Sequence, residues 1–590
     1  MNKKDLVPVI ILALLIPVWM LIDRTFIAPK FPAAQPAPVE QPAEPVPTGA
    51  DAALKAATTE PATEAKPEEI DTTVPADEII QTLENDKLKV EFTSIGGGIK
   101  SATLFQYPEL NKEESDPVVI EFSDRAALAY SGLAGIAETD SMNIEKSADG
   151  KSVKFSKAWN TGAEFERTIT LNGDYSLAVS DRFINKTSNP WNIPAVRLLT
   201  GTMANPADTK AMKGISILGV DSHTTEGGVN YWGRKLNKLY KKQDKPASID
   251  VVPEDMYNVK VDWVAAKNKF FTQIISPNTP TTMSVLSSRD TAEKGVMPQD
   301  IAASLDYSPS VVDASEVLEL DYTYYIGPKK YSVLKDAGHE FEKVMEFETT
   351  GFWSFMNIIM EPARKFLLWT LNLFYSVVRN YGVAIILLTI LMRILFWPLT
   401  HKSTQKMREN SEKMQVIQPK LKAIQEKYKG QTQRIQQETM KIYQEHGFNP
   451  MAMMGGCLPM FLQMPVFFAL FTVLRNAIEL RFASFLWIAD LSQPENLFAG
   501  SIPFIGSLNI LPVLMSVSMI FQQKLSAPMN AAATPEQQQQ QKMMMYMMPI
   551  MMLFLFYSMP SGLTLYWTTS NLLMIAQTSL YNWRKKRKEA

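Results

Sequence analysis

The stretch ILLTILMRILFWPLT, Ile386 to Thr400, is almost uninterrupted hydrocarbon with one arginine, Arg393, set in its middle. A permanent cation near the centre of a membrane span costs about 2.5 to 3.5 kcal/mol on insertion-derived scales. Something in the fold must offset that cost. Arg393 lies about seven residues from the end of the run, roughly 10 Å at 1.5 Å per residue, so snorkelling toward headgroups is one answer. A wet cavity inside a helix bundle is the other.

Two features of the later sequence favour the cavity. No Asp or Glu falls inside the hydrophobic segments of the last third, so no intramembrane carboxylate is on hand to neutralise the arginine. Uncharged polar residues do occur there, including Thr389, Gln463, Asn509, Gln522, Thr564, Thr568 and Asn571. Thr389 precedes Arg393 by one turn and shares its face. Each alone reads as ordinary helix-to-helix hydrogen bonding; together with an unpaired arginine they predict a hydrated groove. Arginine stays charged and cannot relay protons. With no intramembrane acids either, a proton- or sodium-coupled transporter is the weaker reading.

Working outward, five apolar segments follow one another at 381–400, 455–477, 505–523, 543–558 and 561–581, each near the length needed to cross about 30 Å of hydrocarbon. A further one, Leu6 to Leu21, follows Lys3 and Lys4 and is expected to be an uncleaved anchor within residues 1–28. Six spans starting inside place both termini in the cytoplasm. Loop charge agrees: His401 to Gly447 carries ten Lys/Arg against five Asp/Glu, whereas Glu479 to Pro503 carries one arginine and three acids. The tail at 582–590 is basic as well.

The rest divides by composition. Residues 29–76 are rich in Pro, Ala, Glu and Thr and predict a disordered, extended tether. From 77 to 335 short alternating runs such as LKVEFT, FERTITL and VLELDYTYYI predict antiparallel strands of a large all-β sandwich. GGGIKS, Gly96 to Ser101, reads as a turn between strands, not a phosphate loop. Asn185-Lys186-Thr187 matches a glycosylation acceptor by pattern alone. Residues 336–380 predict a connecting segment and an interfacial amphipathic helix. Between the first two of the five spans, 401–448 reads as a basic helical hairpin, with Ile417, Leu421, Ile424 and Tyr428 on one face and a break at Gly430. That hairpin meets either anionic lipid or ribosomal RNA, targeting factors and emerging chains. Loops at 478–504 and 524–542 complete the bundle. The net charge of -2, the single Cys457 and the four scattered histidines point to no nucleic-acid partner of the whole chain, no internal disulfide and no zinc site.

MRILFWPLT (Met392 to Thr400), IQPKLKAIQEKYKG (Ile417 to Gly430), NPMAMMGGCLPMFLQMPVFFALF (Asn449 to Phe471) and MPSGLTLYWTTSNLLMIAQ (Met559 to Gln577) occur in order and suitably spaced. With these motifs the chain resembles the YidC family of membrane protein insertases, in its Gram-negative form with a large periplasmic domain. The resemblance implies a multi-domain membrane protein whose tether and all-β domain are periplasmic. Six transmembrane helices, five of them forming the insertase core, would join an all-β domain similar to the β-supersandwich of sugar mutarotases. It implies a hydrophilic groove open to cytoplasm and lipid but closed to the periplasm, with Arg393, Thr389, Gln463, Gln522, Thr564, Tyr566 and Trp567 as candidate substrate-groove residues. Trp567 stands where many bacterial members have tyrosine. It further implies an inner-membrane, non-enzymatic insertase and chaperone that needs no cofactor or metal and functions as a monomer. Nascent membrane proteins, the Sec translocon and its accessory subunits, ribosomes with targeting factors, and membrane lipids would be its partners. Two competitors remain: a polytopic transporter, and a membrane-tethered envelope enzyme with its chemistry in the β-rich domain.

Overall fold

Alternation in FERTITL becomes alternation in space: along the strand Ala163–Leu171, Phe165, Arg167 and Ile169 are buried while their neighbours are half-exposed. The computed structural model describes residues 77–589 except 123–124, 205–217, 233–248, 252–257, 289–299, 348–356, 447–457, 503–505 and 527–534. The expected anchor at 1–28, the tether at 29–76 and Cys457 therefore lie outside the described residues.

The Ala163–Leu171 strand sits in a nine-stranded antiparallel sheet. It runs from Val229–Tyr231 through Gly219–Thr224, Val261–Lys267, Phe271–Pro277, Val317–Pro328, Ser176–Asn185, Ala163–Leu171 and Ser152–Ala158 to Asn143–Lys146. A six-stranded sheet is built around Val196–Leu199, Asp300–Tyr307 and Thr282–Ser288, and a four-stranded one covers Ile80 to Glu121. The inward side chains form one apolar core, in which Trp263, Phe165, Phe183 and Tyr130 are fully buried. Phe165 and Phe183 are paired across the strands, with ring centroids 5.1 Å apart. Gly96 and Gly97, at φ of 70° and 57°, make the turn into the strand Gly98–Pro108, so GGGIKS is strand-to-strand. Asn185 is buried, and its side chain donates to the carbonyls of Asn189, Val312 and Asp313 while accepting from Thr187 N. Its amide is spent inside the fold, which leaves none of it for a glycan.

The inward face also carries one charge pair. Arg167 Nε and Nη2 each donate to Asp181 at 2.7 Å, both side chains fully buried. Tyr130 and Tyr322 hydroxyls donate to the same carboxylate at 2.8 and 3.0 Å, and Arg167 Nη1 donates to Gly97 O and Leu128 O. Each nitrogen of the guanidinium and each oxygen of the carboxylate thereby has a hydrogen-bond partner in the buried core.

Among the described residues eight α-helices follow: α1 (Tyr331–Ala337), α2 (Asn357–Val378), α3 (Tyr381–Lys427), α4 (Thr432–Glu445), α5 (Leu458–Asn476), α6 (Ile510–Ser526), α7 (Pro535–Phe556) and α8 (Ser561–Glu589). In α2, Ile358, Phe366, Trp369, Leu373 and Val377 form an exposed apolar stripe, as an interfacial helix requires. The largest difference from the sequence reading is α3. It runs 47 residues without a break, so the segment at 381–400 and the first arm of the basic hairpin are one helix. Asn380 caps it by accepting from Val383 N at 3.1 Å. Gly430 at φ 86° then turns the chain into α4, where Ile442 and Tyr443 pack on Ile417 and Leu421. The segment expected at 505–523 begins as a strand, Gly506–Leu508, and becomes helical only at Ile510.

Among the described residues no helix is long and apolar enough to cross a membrane, so the count of six spans is not reproduced. The physical reason is that the apolar lengths are short or share their helix with polar turns. α6 has 17 residues, α7 opens on PEQQQQQK, and α8 ends in RKKRKE. Their outward faces are nonetheless apolar, with Phe521, Met547, Phe554 and Leu572 exposed. A surface of that kind marks contact with lipid or protein.

The β-rich domain and the helices meet around residues 341–347. Lys267 is buried, pairs with Asp221 and donates to Glu346 Oε1 at 2.8 Å. Asn476 at the end of α5 donates to Met345 O at 3.3 Å. Beside them Lys329, also buried, donates to the carbonyls of Asn268 and Lys269, both at 3.3 Å. Burial pushes the Lys329 ammonium down to about 7, and the Lys267 charge acts in the same direction. The folded value is below the unfolded one, so between about pH 7 and 10 the unfolded state holds the extra proton and stability rises with pH. Lys329→Met should flatten that rise, by at most about 1.4 kcal/mol per pH unit. Thermal melts of the detergent-solubilised protein across this window measure it, and parallel pH profiles for the two proteins would reject the assignment.

Candidate functional site

Arg393 lies three turns into α3, and its Nη2 reaches across to α8, donating to Ser570 O at 2.8 Å and Ser570 Oγ at 2.9 Å. Its Nε is buried and makes no hydrogen bond among the described residues, and no carboxylate there forms an ion pair with it. The cation is thus held by dipoles rather than by a counter-charge. Ser570 is the partner that sequence reading missed, because a contact between distant helices leaves no local periodic signal.

The other candidates divide. Thr389 is fully buried and its hydroxyl donates to Ile385 O, one turn back on its own helix, at 2.7 Å. Thr564 does the same toward Pro560 O at 3.3 Å, and Thr568 toward Thr564 O at 2.8 Å. These hydroxyls are spent on backbone and line no open surface. Gln522, half-buried on α6, donates to Met574 Sδ of α8 at 2.7 Å. Tyr566 is buried. Trp567 is half-buried and stands edge-on to Phe467 of α5, centroids 5.2 Å apart, with Phe556 of α7 at 5.6 Å. Gln463 lies within α5, but its side chain is outside the described residues. The structure therefore brings together Arg393 with Ser570, and Trp567 with an aromatic cluster, on one helix whose polar residues tie it to its neighbours. Asn571 continues that tie, donating to Ser518 Oγ of α6 at 3.0 Å.

Chemically, the arrangement offers one fixed positive charge on α3, tied to α8 through Ser570, and on α8 a separate aromatic cluster around Trp567. Among the described residues it contains no nucleophile paired with a base. Such a site can bind an anionic or carbonyl-rich segment.

Residues 373–588 match the family model described as 60Kd inner membrane protein, and residues 81–362 match that of the YidC periplasmic domain. Together with the β-rich unit and the helical unit these define the class: an inner membrane protein with a large periplasmic domain. The chain is similar to the membrane protein insertase YidC of Pelobacter propionicus, at 30% identity over 83% of this chain and 84% of the relative. It is equally similar to that of Syntrophus aciditrophicus, at 30% over 85% and 84%. The chain belongs to the YidC family of membrane protein insertases. Among solved structures it is similar to an active YidC insertase, with a TM-score of 0.32, 18% identity, and 87% of this chain and 94% of that one covered.

Proposed function

We propose that the protein inserts newly made membrane proteins through a hydrophilic groove centred on Arg393, without covalent chemistry, nucleotide, metal or other cofactor. The observation that carries this reading is the guanidinium itself, tied to Ser570 on one side, with Nε unpaired and no described carboxylate beside it. A cation in that state retains capacity for the polar flank of a client. In hydrocarbon each unsatisfied backbone group of that flank costs several kcal/mol, and a hydrated, positively charged groove lowers the cost. The client's apolar helix then partitions into lipid, driven by hydrophobic transfer. Exposed apolar side chains on α5 and α7, among them Phe468, Met547 and Phe554, supply a surface along which it slides.

In this reading six spans, the first within residues 1–28, place both termini in the cytoplasm, and the basic hairpin formed by the end of α3 and by α4 receives nascent chains from ribosomes and targeting factors. The protein works as a monomer, alone or beside the Sec translocon and its accessory subunits. The test is reconstitution of the purified chain in liposomes, with a photoreactive residue at 389, 393 or 567 and a stalled single-span client. Crosslinks are expected from 393 and 567. Few are expected from 389, whose side chain is fully buried. A client that inserts while 393 never crosslinks would overturn the groove.

A further inference from the structure

The segment Ile478 to Phe498 plugs the end of the helix bundle that faces the β-rich domain. Arg481 ties it to that domain, donating to Pro108 O at 2.7 Å and Glu109 O at 2.9 Å, and Lys269 Nζ donates to Ser492 O at 2.7 Å. Against the bundle it docks at three places. Phe485 lies directly on Gly382 at the start of α3, where an added Cβ would meet its ring at 2.2 Å. Leu491 O and Gln493 O accept from Gly562 N at 2.9 Å and Ser561 N at 2.8 Å, the first residues of α8. Glu495 accepts from Leu511 N with both oxygens, at 3.1 and 3.0 Å, and so caps α6 from outside while also accepting from Trp487 Nε1 at 3.0 Å. Around Glu495 are Asn509, Pro512, Tyr557 and Thr564, packed with no water-sized space between them. Thr564 begins the polar row of α8 that leads through Thr568 to Ser570 and Arg393.

Two properties suit this segment to movement. Phe482, Leu486, Asn496 and Phe498 all hold positive φ, between 48° and 59°, a conformation non-glycine residues adopt only at a cost that surrounding contacts must offset. And at α6 and α8 it is held by hydrogen bonds to helix-start amides, which water or a passing polar chain can replace.

We propose that Ile478–Phe498 is a periplasmic exit lid, latched by Glu495 on α6 and by Leu491 and Gln493 on α8, which opens to release the translocated flank of a client. The proposal rests on the groove reading above and adds the route by which the flank leaves. A disulfide tests it, because a Cβ on Gly562 would stand 3.7 Å from Leu491 Cβ, close to the ~3.8 Å typical of disulfides. In full-length chain carrying Cys457→Ser, Leu491→Cys and Gly562→Cys, reconstituted in liposomes, oxidation should slow translocation of a client's acidic tail about tenfold or more, with recovery on reduction. Equal rates in the oxidised and reduced forms overturn the lid. Should the reduced pair itself be inactive, labelling decides. With Cys457→Ser and Thr564→Cys, a bulky impermeant maleimide added from the periplasmic side should react several-fold faster after Glu495→Ala, as expected for an opened lid. No acceleration overturns the proposal. Loss of the groove reading is separable, since Arg393→Ala with undiminished insertion strikes the groove while the oxidised-to-reduced ratio still reports the lid.

Discussion

Arg393→Ala is expected to slow insertion of clients with acidic translocated flanks by about 10- to 100-fold, the range given by losing one hydrogen bond to a charged group at about 1.5 to 3 kcal/mol. The same substitution should leave the melting temperature unchanged or raised. Among the described residues the guanidinium is held only by Ser570, and its Nε is buried without a partner, so the folded state loses little when the charge goes. This split between activity and stability separates a client-binding cation from a structural one. Lysine at 393 keeps the charge but not the planar fork, and is expected to fall between the two. Insertion rates in liposomes for clients with acidic, neutral and basic flanks, alongside thermal melts, provide the measurement. A variant that melts early and fails equally with every flank would mark Arg393 as mere scaffolding.

The β-rich domain was legible where alternation is local. LKVEFT and FERTITL both become strands with the expected inward parity, because one face is core and the other is half-exposed. The strands Val261–Lys267 and Phe271–Pro277 carry almost no alternation, since they run through the middle of the fold and are buried nearly throughout. Sheet partition and register depend on partners a hundred residues away, and short-range pattern does not carry them. In the candidate site, Arg393 stood out because its charge contradicts its surroundings. Thr389 and Thr564 differ from it: each is buried, and its hydroxyl satisfies itself on the preceding turn, a local rule that holds with or without a groove. Glu495 and Asn509 counted in the sequence only as loop charge and span polarity, whereas the fold uses both to join the 478–498 segment to α6 and α7.

One charge pair was visible in principle and passed over. Inward parity in FERTITL places Arg167 between Phe165 and Ile169, and the register sets it opposite Asp181 on the next strand. A charge at an inward position is the sheet counterpart of an arginine in a span, and the remedy differs. Here a carboxylate with two tyrosine donors neutralises it. Asp181→Ala should therefore destabilise the β-rich domain by about 3 to 5 kcal/mol, because it strands a fully buried guanidinium and two phenol groups. Against a typical domain stability of about 5 to 15 kcal/mol, that loss brings the sandwich near unfolding at growth temperature. Asp181→Asn keeps an acceptor without the charge and should cost less. Replacing both partners, Arg167→Met with Asp181→Leu, should recover most of the loss, since an apolar pair of similar volume removes the uncompensated ion. The measurement is limited proteolysis and near-ultraviolet circular dichroism of the full-length protein in detergent. If Asp181→Ala unfolds together with the wild type, or if the double replacement is no better than the single, the pair does not hold the domain.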